Sequence, residues 1–156
     1  MLTKTTIVAI QALTLLALED DGRPKTPKQL AARLGASPSY LGKILGMLAK
    51  GGILRSVRGA HGGVHLARKP SLITLLDVYA ATQGALVPHH CTGGRAAAAI
   101  CTFHTAMSQL HQQLEGALTR WSLADLASVP SGKGARNCRM ASVSSIRRAL
   151  PVVAAS

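Results

Sequence analysis

Three residues with metal-binding side chains follow one another in the second half of the chain: Cys91, Cys101 and His104. Cys101 and His104 are three positions apart. On a helix, residues at this spacing lie on the same face, so both side chains can bind one metal centre. Cys91 lies in a segment rich in proline, histidine and glycine, a composition that predicts a loop.

Two thiolates and one imidazole leave a four-ligand site one ligand short, and His89 or His90 can complete it, from the same subunit or from a partner. A [2Fe–2S] cluster on such a set is chemically reasonable, since histidines replace two cysteines in Rieske centres. Zinc accepts the same ligands at tetrahedral geometry. Without a metal, the two cysteines can act as a thiol redox switch. A site with no sensing role also stays open, and Cys138 has no ligand-like spacing.

A second group of residues, between Ser37 and Lys69, is suited to binding DNA. It begins S-P-S-Y-L-G-K-I-L-G-M-L-A-K, which predicts a short helix with a polar start, and a Gly-Gly pair follows. Two short strands are predicted next, Ile53–Val57 and Val64–Ala67, joined by a glycine-rich tip. A helix followed by a basic ribbon presents one probe that fits the major groove of DNA and one that fits the minor groove.

The residue types in this segment indicate how it would meet a duplex. The start of the helix offers free amides and serine hydroxyls, which suit phosphate oxygens. We expect Tyr40 and Lys43 to project from the exposed face of the helix. Arg58 can enter a narrow minor groove, where the negative potential is focused. The predicted DNA-binding residues are Ser37, Ser39, Tyr40, Lys43, Arg58, Gly59, His61 and Gly62.

The helices that must position these groups have clear start signals. Thr3 can cap a first helix, and Thr26-Pro27 and Ser37-Pro38 each give an N-cap followed by proline at the first helical position. The second helix is expected to end at Gly35. Together the helices form a helix-turn-helix. The expected buried faces are Ile7, Ile10, Leu13 and Ala17 in the first helix and Leu41, Ile44, Leu45 and Leu48 in the third.

Beyond the predicted strands, Thr74-x-x-Asp77 and Ser122-x-x-Asp125 are capping boxes that open two further helices, the first ending near Gln83. A long helix is predicted from Arg95 to Arg120. Its apolar stripe is long for so small a domain, so we expect the helix to pair with its copy in a second subunit. The stripe consists of Ile100, Phe103, Met107, Leu110, Leu114 and Leu118.

The predicted fold class is therefore mainly α with a small β-wing: a winged helix-turn-helix domain plus a long dimerisation helix. The DNA-binding domain spans residues 1–84 and a sensor loop spans 85–95. The dimerisation helix and the short final helix span 96–128. Residues 129–156 are rich in Ser, Pro, Gly, Arg and Ala, and this basic tail is expected to be mostly disordered.

Composition agrees with a nucleic-acid partner. The 156-residue chain has a net charge of +12, and residues 1–69 hold eleven Lys or Arg against three acids. No apolar run approaches the roughly twenty residues that span a bilayer, and no signal peptide is recognisable. We therefore expect a cytoplasmic protein with no membrane partner. No enzyme motif assembles a nucleophile, a base and an oxyanion site, so an enzyme is not expected.

Several fragments together resemble the Rrf2 family of bacterial winged-helix repressors, the IscR- and NsrR-like regulators. They are A-I-Q-A-L-T-L-L-A-L, S-P-S-Y-L-G-K-I-L-G-M-L, S-V-R-G-A-H-G-G-V-H-L-A-R, I-T-L-L-D-V and S-L-A-D-L, in the order of the family. The resemblance covers residues 1 to about 129. It implies a homodimer that binds a palindromic promoter site, with the long helix as the dimer element and the wing arginine, here Arg58, on DNA.

The resemblance also implies a sensing site. Family members hold an iron–sulfur cluster on three cysteines and one further ligand in this stretch, and Cys91, Cys101 and His104 match all but the middle cysteine. Some relatives supply an acid from the first helix, but Ile7 stands at the corresponding place. Val64 also departs from the pattern, because an aromatic residue usually follows the Gly-Gly pair of the wing.

The sequence thus predicts a sequence-specific transcriptional regulator, a repressor controlled by a [2Fe–2S] cluster or by thiol redox state. Zinc is the less favoured metal. Two alternatives remain open at this point: a metal-free repressor controlled by a partner protein, and a non-specific nucleic-acid-binding protein.

Overall fold

The computed structural model describes residues 2–19, 23–59, 62–84, 86 and 102–128. Within these ranges the chain is mainly helical, with one two-stranded antiparallel sheet and a short 3-10 helix, Pro70–Leu72. In chain order the other elements are α1 (Lys4–Leu18), α2 (Pro27–Leu34), α3 (Pro38–Lys50), β1 (Leu54–Val57), β2 (Gly63–Leu66), α4 (Leu75–Gln83), α5 (Thr102–Arg120) and α6 (Leu123–Ala127). The predicted fold class is confirmed.

Each predicted helix start within the described ranges carries its cap. The hydroxyl of Thr26 accepts a hydrogen bond from the amide of Gln29 at 3.2 Å, and the Gln29 side chain accepts one from Thr26 in return. Thr74 with Asp77 and Ser122 with Asp125 form the two expected capping boxes. Hydrogen bonds from the side chain and then the backbone of Ser122 hold the pKa of the Asp125 carboxyl below its ordinary value.

The predicted buried stripe of α3 is confirmed: Leu41, Ile44, Leu45 and Leu48 are each no more than 2% exposed. These side chains pack toward α1, α2 and α4. Because a helix that buries one stripe must turn its opposite face outward, the core itself sets which residues of α3 face the solvent.

The predicted face of α1 is confirmed at Leu13, which is fully buried, and in part at Ile10, which packs against the core without being fully buried. Ile7, Ile10 and Ala17 are only partly buried, and the helix instead buries Thr6, Ala9, Ala12, Leu13, Thr14, Leu15 and Leu16. The reason is that α1 lies at the centre of the domain and packs against α2, α3, α4, α6 and β2. The small side chains of Ala9 and Ala12 let neighbouring elements pack closely against α1. The spacing of the larger apolar residues does not predict that these faces are buried.

The wing strand β1 starts one residue later than predicted, and β2 lies one residue earlier than predicted. They pair antiparallel from Leu54 opposite Leu66 to Val57 opposite Gly63. Ile53 is fully buried, and its amide donates to the carbonyl of Leu48 near the end of α3. Its carbonyl accepts a hydrogen bond from the amide of Ala67, so the bonding between the strands continues by one pair beyond their assigned ends.

The C-terminal elements pack against the first part of the chain. The amide of Leu75 bonds to the carbonyl of Trp121 and the amide of Leu123 to that of Ile73, both at 2.9 Å, and α6 packs on α1.

In α5, Leu118 is buried, but Phe103 and Leu110 are 62% and 60% exposed. The predicted start of the long helix at Arg95, the position of Ile100 and the expected disorder of residues 129–156 lie outside the described residues. No described helix combines the length and apolar character needed to cross a bilayer.

The core of α3 gives a first testable prediction. Leu48→Ala removes a fully buried side chain and leaves a cavity, so we expect the free energy of unfolding to fall by about 2–5 kcal/mol. Met47→Ala, one residue earlier and 42% exposed, is the matched control and is expected to change it by about 0.5 kcal/mol or less. Urea unfolding followed by circular dichroism, at one fixed protein concentration, measures both; equal losses would contradict the assignment of the core.

Candidate nucleic-acid interface

Two exposed serines mark the start of α3: Ser37 is its N-cap and Ser39 lies in its first turn. The Ser37 hydroxyl accepts a hydrogen bond from the amide of Tyr40 at 3.4 Å and lies 3.1 Å from the hydroxyl of Ser39. Both serines are exposed. The remaining free amides of this turn, with the positive end of the helix dipole, form a surface that suits a phosphate group.

Tyr40 does not project from the exposed face of α3 as expected. Its side chain is partly buried against the hydrophobic core, and its hydroxyl lies 3.2 Å from that of Thr5 in α1. The start of α1 lies against the first turn of α3, and this long-range contact turns the ring inward. A direct contact of Tyr40 with DNA remains a prediction.

The solvent face of α3 carries Lys43, Met47 and Lys50, all exposed. Their spacing of four and three positions places them along one stripe, opposite the buried leucines. Lys50 was not among the residues predicted from sequence, although its spacing from Lys43 marks the same face.

The wing presents Arg58 at the end of β1, exposed to solvent. Gly59 follows with φ +113°, a backbone conformation that favours glycine. The amide of Gly62 bonds to the carbonyl of Gly59 at 2.9 Å and closes the tip. His61 lies outside the described residues.

The wing is attached to the chain segment before α2. Lys25 and Val64 exchange two backbone hydrogen bonds of 2.9 Å each. A side chain at Gly63 would place its Cβ 2.5 Å from the carbonyl oxygen of Lys25, so the two backbones can approach only because this residue is glycine. Nothing in the spacing of the sequence indicated this attachment.

The helix α3 and the wing carry positive charge with no acid of their own. Neither α3 nor the two strands contain an acidic residue, and Arg55 on β1 is exposed as Arg58 is. Two of the described acids are engaged elsewhere: Glu19 pairs with Arg33 at 2.7 Å, and Asp77 caps α4 while lying 3.7 Å from Arg68. A basic helix face beside a basic hairpin is an arrangement that can meet both grooves of one duplex.

The predicted sensing residues are not placed by the structure. Cys91, Cys101, His89 and His90 lie outside the described residues, and His104 is placed only as a position within the first turn of α5. Among the residues that are described, no three His, Cys, Asp or Glu side chains come together as a metal site requires. The ligand roles of Cys91, Cys101, His104 and His89 or His90 therefore stay predictions.

Comparison with known proteins identifies relatives of the whole described region. The family model Rrf2, an iron-dependent transcriptional regulator, matches residues 2–128. A Synechocystis protein named as an HTH-type transcriptional regulator is 35% identical, covering 80% of this chain and 86% of the relative. The HTH-type transcriptional regulator IscR of Escherichia coli is 30% identical, covering 76% and 74%. The solved structure of CymR, the global cysteine regulator of B. subtilis, is similar in fold, with a TM-score of 0.68 at 23% identity, covering 82% of this chain and 96% of CymR.

The attachment of the wing gives a second prediction. In Gly63→Ala the new Cβ meets the backbone of Lys25, which has no flexible side chain to move aside. We expect a loss of about 1–3 kcal/mol in the free energy of unfolding, the usual cost of overpacking. The control, Gly42→Ala, is a helix-interior change with no atom within 4 Å, and it should gain about 0.5–1 kcal/mol. If urea unfolding places both variants on the same side of the wild type, the close approach is not what fixes the wing.

Proposed function

Because the chain belongs to the Rrf2 family of winged helix-turn-helix transcriptional regulators, we propose that it binds an inverted-repeat operator as a homodimer. It is a DNA-binding transcriptional regulator and not an enzyme. We propose that the bound protein represses transcription from the promoter. We also propose that the protein lies in the cytoplasm, as expected from the sequence.

The observation that carries the proposal is the acid-free, exposed surface formed by α3 and the wing. In this proposal α3 lies in the major groove, with the serines of its first turn on a phosphate and Lys43 toward the base edges. Arg58 enters the adjacent minor groove, and Gly59 and Gly62 let the tip approach the backbone closely; His61 belongs to the same tip.

The homodimer is supported by the exposed side of α5. Phe103, Met107, Leu110 and Leu114 recur at helical spacing, and the first and third of these are well exposed. Within the described residues α5 packs mainly on α4, and Phe103 and Leu110 stay exposed while Met107 and Leu114 are partly buried. A second copy of α5 would bury these side chains by two-fold symmetry, and a two-fold dimer reads two half-sites about one helical turn apart.

We further propose that Cys91, Cys101 and His104 hold a [2Fe–2S] cluster, completed by His89 or His90. The donor set suits such a cluster: Cys101 directly precedes α5, His104 lies in its first turn, and thiolate with imidazole is a known ligand combination. When bound, the cluster would supply a redox-active centre between the DNA-binding domain and the dimer helix. Control by thiol oxidation alone, zinc, or a partner protein are the outcomes that would replace it.

A third prediction tests the DNA interface. The purified wild-type protein, titrated against a genomic fragment library, should enrich an inverted repeat and prefer it at least about a thousandfold over random DNA. Arg58→Ala should weaken operator binding about tenfold and lower the slope of log affinity against log salt by about one. Arg120→Ala, which removes the same charge from the end of α5, is the control. Enrichment of no inverted repeat, or equal effects of the two variants, would contradict the proposal.

A fourth prediction tests the cluster. Anaerobically purified protein should contain iron and absorb visible light, and alanine at Cys91, Cys101 or His104 should abolish both, because each change removes a ligand. Cys138→Ala and His111→Ala are the matched controls; His111 lies on α5, 3.6 Å from Glu115. Zinc in place of iron, or a metal-free protein whose operator affinity responds to thiol oxidants, would replace the cluster with the corresponding alternative. A metal-free protein indifferent to oxidants would leave control by a partner, or a site with no sensing role.

A further inference from the structure

A fully buried hydroxyl joins the start of α1 to the end of α4. The Thr6 side chain is 0% exposed. Its oxygen lies 2.8 Å from the hydroxyl of Thr82 and 3.1 Å from that of Thr3, and it accepts a hydrogen bond from the side-chain amide of Gln83 at 2.9 Å. The other buried threonine, Thr14, bonds only within its own helix. A tertiary polar cluster of this kind specifies one packing arrangement, because its groups lose their partners in any other.

The neighbouring residue on α1 contacts the recognition helix α3. The hydroxyl of Thr5 lies 3.2 Å from that of Tyr40, and the amide of Tyr40 donates to the cap of the same helix at Ser37. The first turn of α1 therefore holds the first turn of α3 on one side and the last turn of α4 on the other.

The last turn of α4 also meets the opposite end of α3. A Cβ built on Gly51, the residue that ends α3, would lie 2.8 Å from the Cβ of Ala81. We term Ala81, Thr82 and Gln83 the α4 tether. Ala81 lies against one end of the recognition helix. Thr82 and Gln83 are linked to the other end through Thr6 and its neighbour Thr5.

We infer that the α4 tether, with Thr5, Thr6 and Tyr40, positions the recognition helix for DNA. Tyr40 acts in this inference as a positioning residue whose hydroxyl is used by Thr5, rather than as a DNA contact. The inference rests on the proposed function in one respect, namely that α3 enters the groove. Gly84 follows the tether directly, and the segment predicted to carry sensor ligands comes next in the chain. A change in that segment would reach α3 through these contacts.

Two isosteric variants break the connection at different points. Thr82→Val removes the hydroxyl that reaches Thr6 and keeps the shape of the side chain. Its matched control is Thr119→Val on α5, whose hydroxyl donates only within its own helix, to the carbonyl of Glu115 at 2.8 Å. Thr5→Val removes the partner of Tyr40 while leaving the tyrosine hydroxyl in place, and so separates positioning from direct contact with DNA.

The first measurement is amide hydrogen exchange on the full-length protein without DNA. Thr82→Val and Thr5→Val should speed exchange about tenfold in the first turns of α1 and α3, as expected when a buried hydrogen bond is lost. Exchange in β2 and α6 should be unchanged, and Thr119→Val should resemble the wild type. Unchanged exchange in α3, or an equal rise throughout the molecule, would overturn the inference, because the second result indicates only a general loss of stability.

The second measurement uses the operator fragment recovered with the wild-type protein and a random duplex of equal length. Both variants should lower operator affinity about tenfold and affinity for the random duplex much less. The double variant should lose less than the product of the single losses, because both act along one connection. Wild-type operator affinity in Thr5→Val, or losses that simply multiply, would count against the inference. If the wild type recovers no operator, the proposed function fails, while hydrogen exchange still decides whether the tether holds α3.

Discussion

The burial of one stripe of α3 is the constraint on which the rest of the described structure depends. Leu41 and Leu48 are fully buried, and a helix has only one opposite face to turn toward solvent. That face carries Lys43 and Lys50 with no acid among them. The basic solvent face of α3 is thus a consequence of the hydrophobic core. The core is completed by α1, whose alanines let several elements approach it closely. A substitution that disturbs this packing would also turn the basic face.

The wing illustrates how a small element becomes rigid enough to be useful. A two-stranded hairpin alone is marginally stable in water. Here β2 gains a partner outside the hairpin, since Lys25 exchanges two backbone hydrogen bonds with Val64, and the absence of a side chain at Gly63 permits the contact. The orientation of Arg58 relative to α3 therefore depends on a segment that precedes α2 in the chain. This anchoring lowers the entropy that a flexible wing would lose on binding DNA.

The described acids and cations have different roles, the former mainly in holding the fold together and the latter mainly on the solvent face. Three of the four described acids serve structure: Glu19 pairs with Arg33, while Asp77 and Asp125 cap helices. The cations of α3 and the wing are left to the solvent face, where a polyanion can meet them. A buried polar cluster lies at the junction of α1 with α4, around Thr6. If that junction positions α3 as inferred, the hydroxyls that form hydrogen bonds with buried Thr6 also affect how well the basic face of α3 fits a DNA groove.

The sequence by itself determined the local features: the helix caps, the buried stripe of α3, the order of elements and the family, because capping and helical periodicity depend on residues only three or four positions apart. It also marked Arg58 as a wing residue. The tertiary structure alone decided which face of α1 is buried, that Tyr40 turns inward to Thr5, and that Lys25 holds the wing. These outcomes depend on which distant segments meet, and no spacing within one segment encodes that. The ligands of the sensing site remain predictions of the sequence.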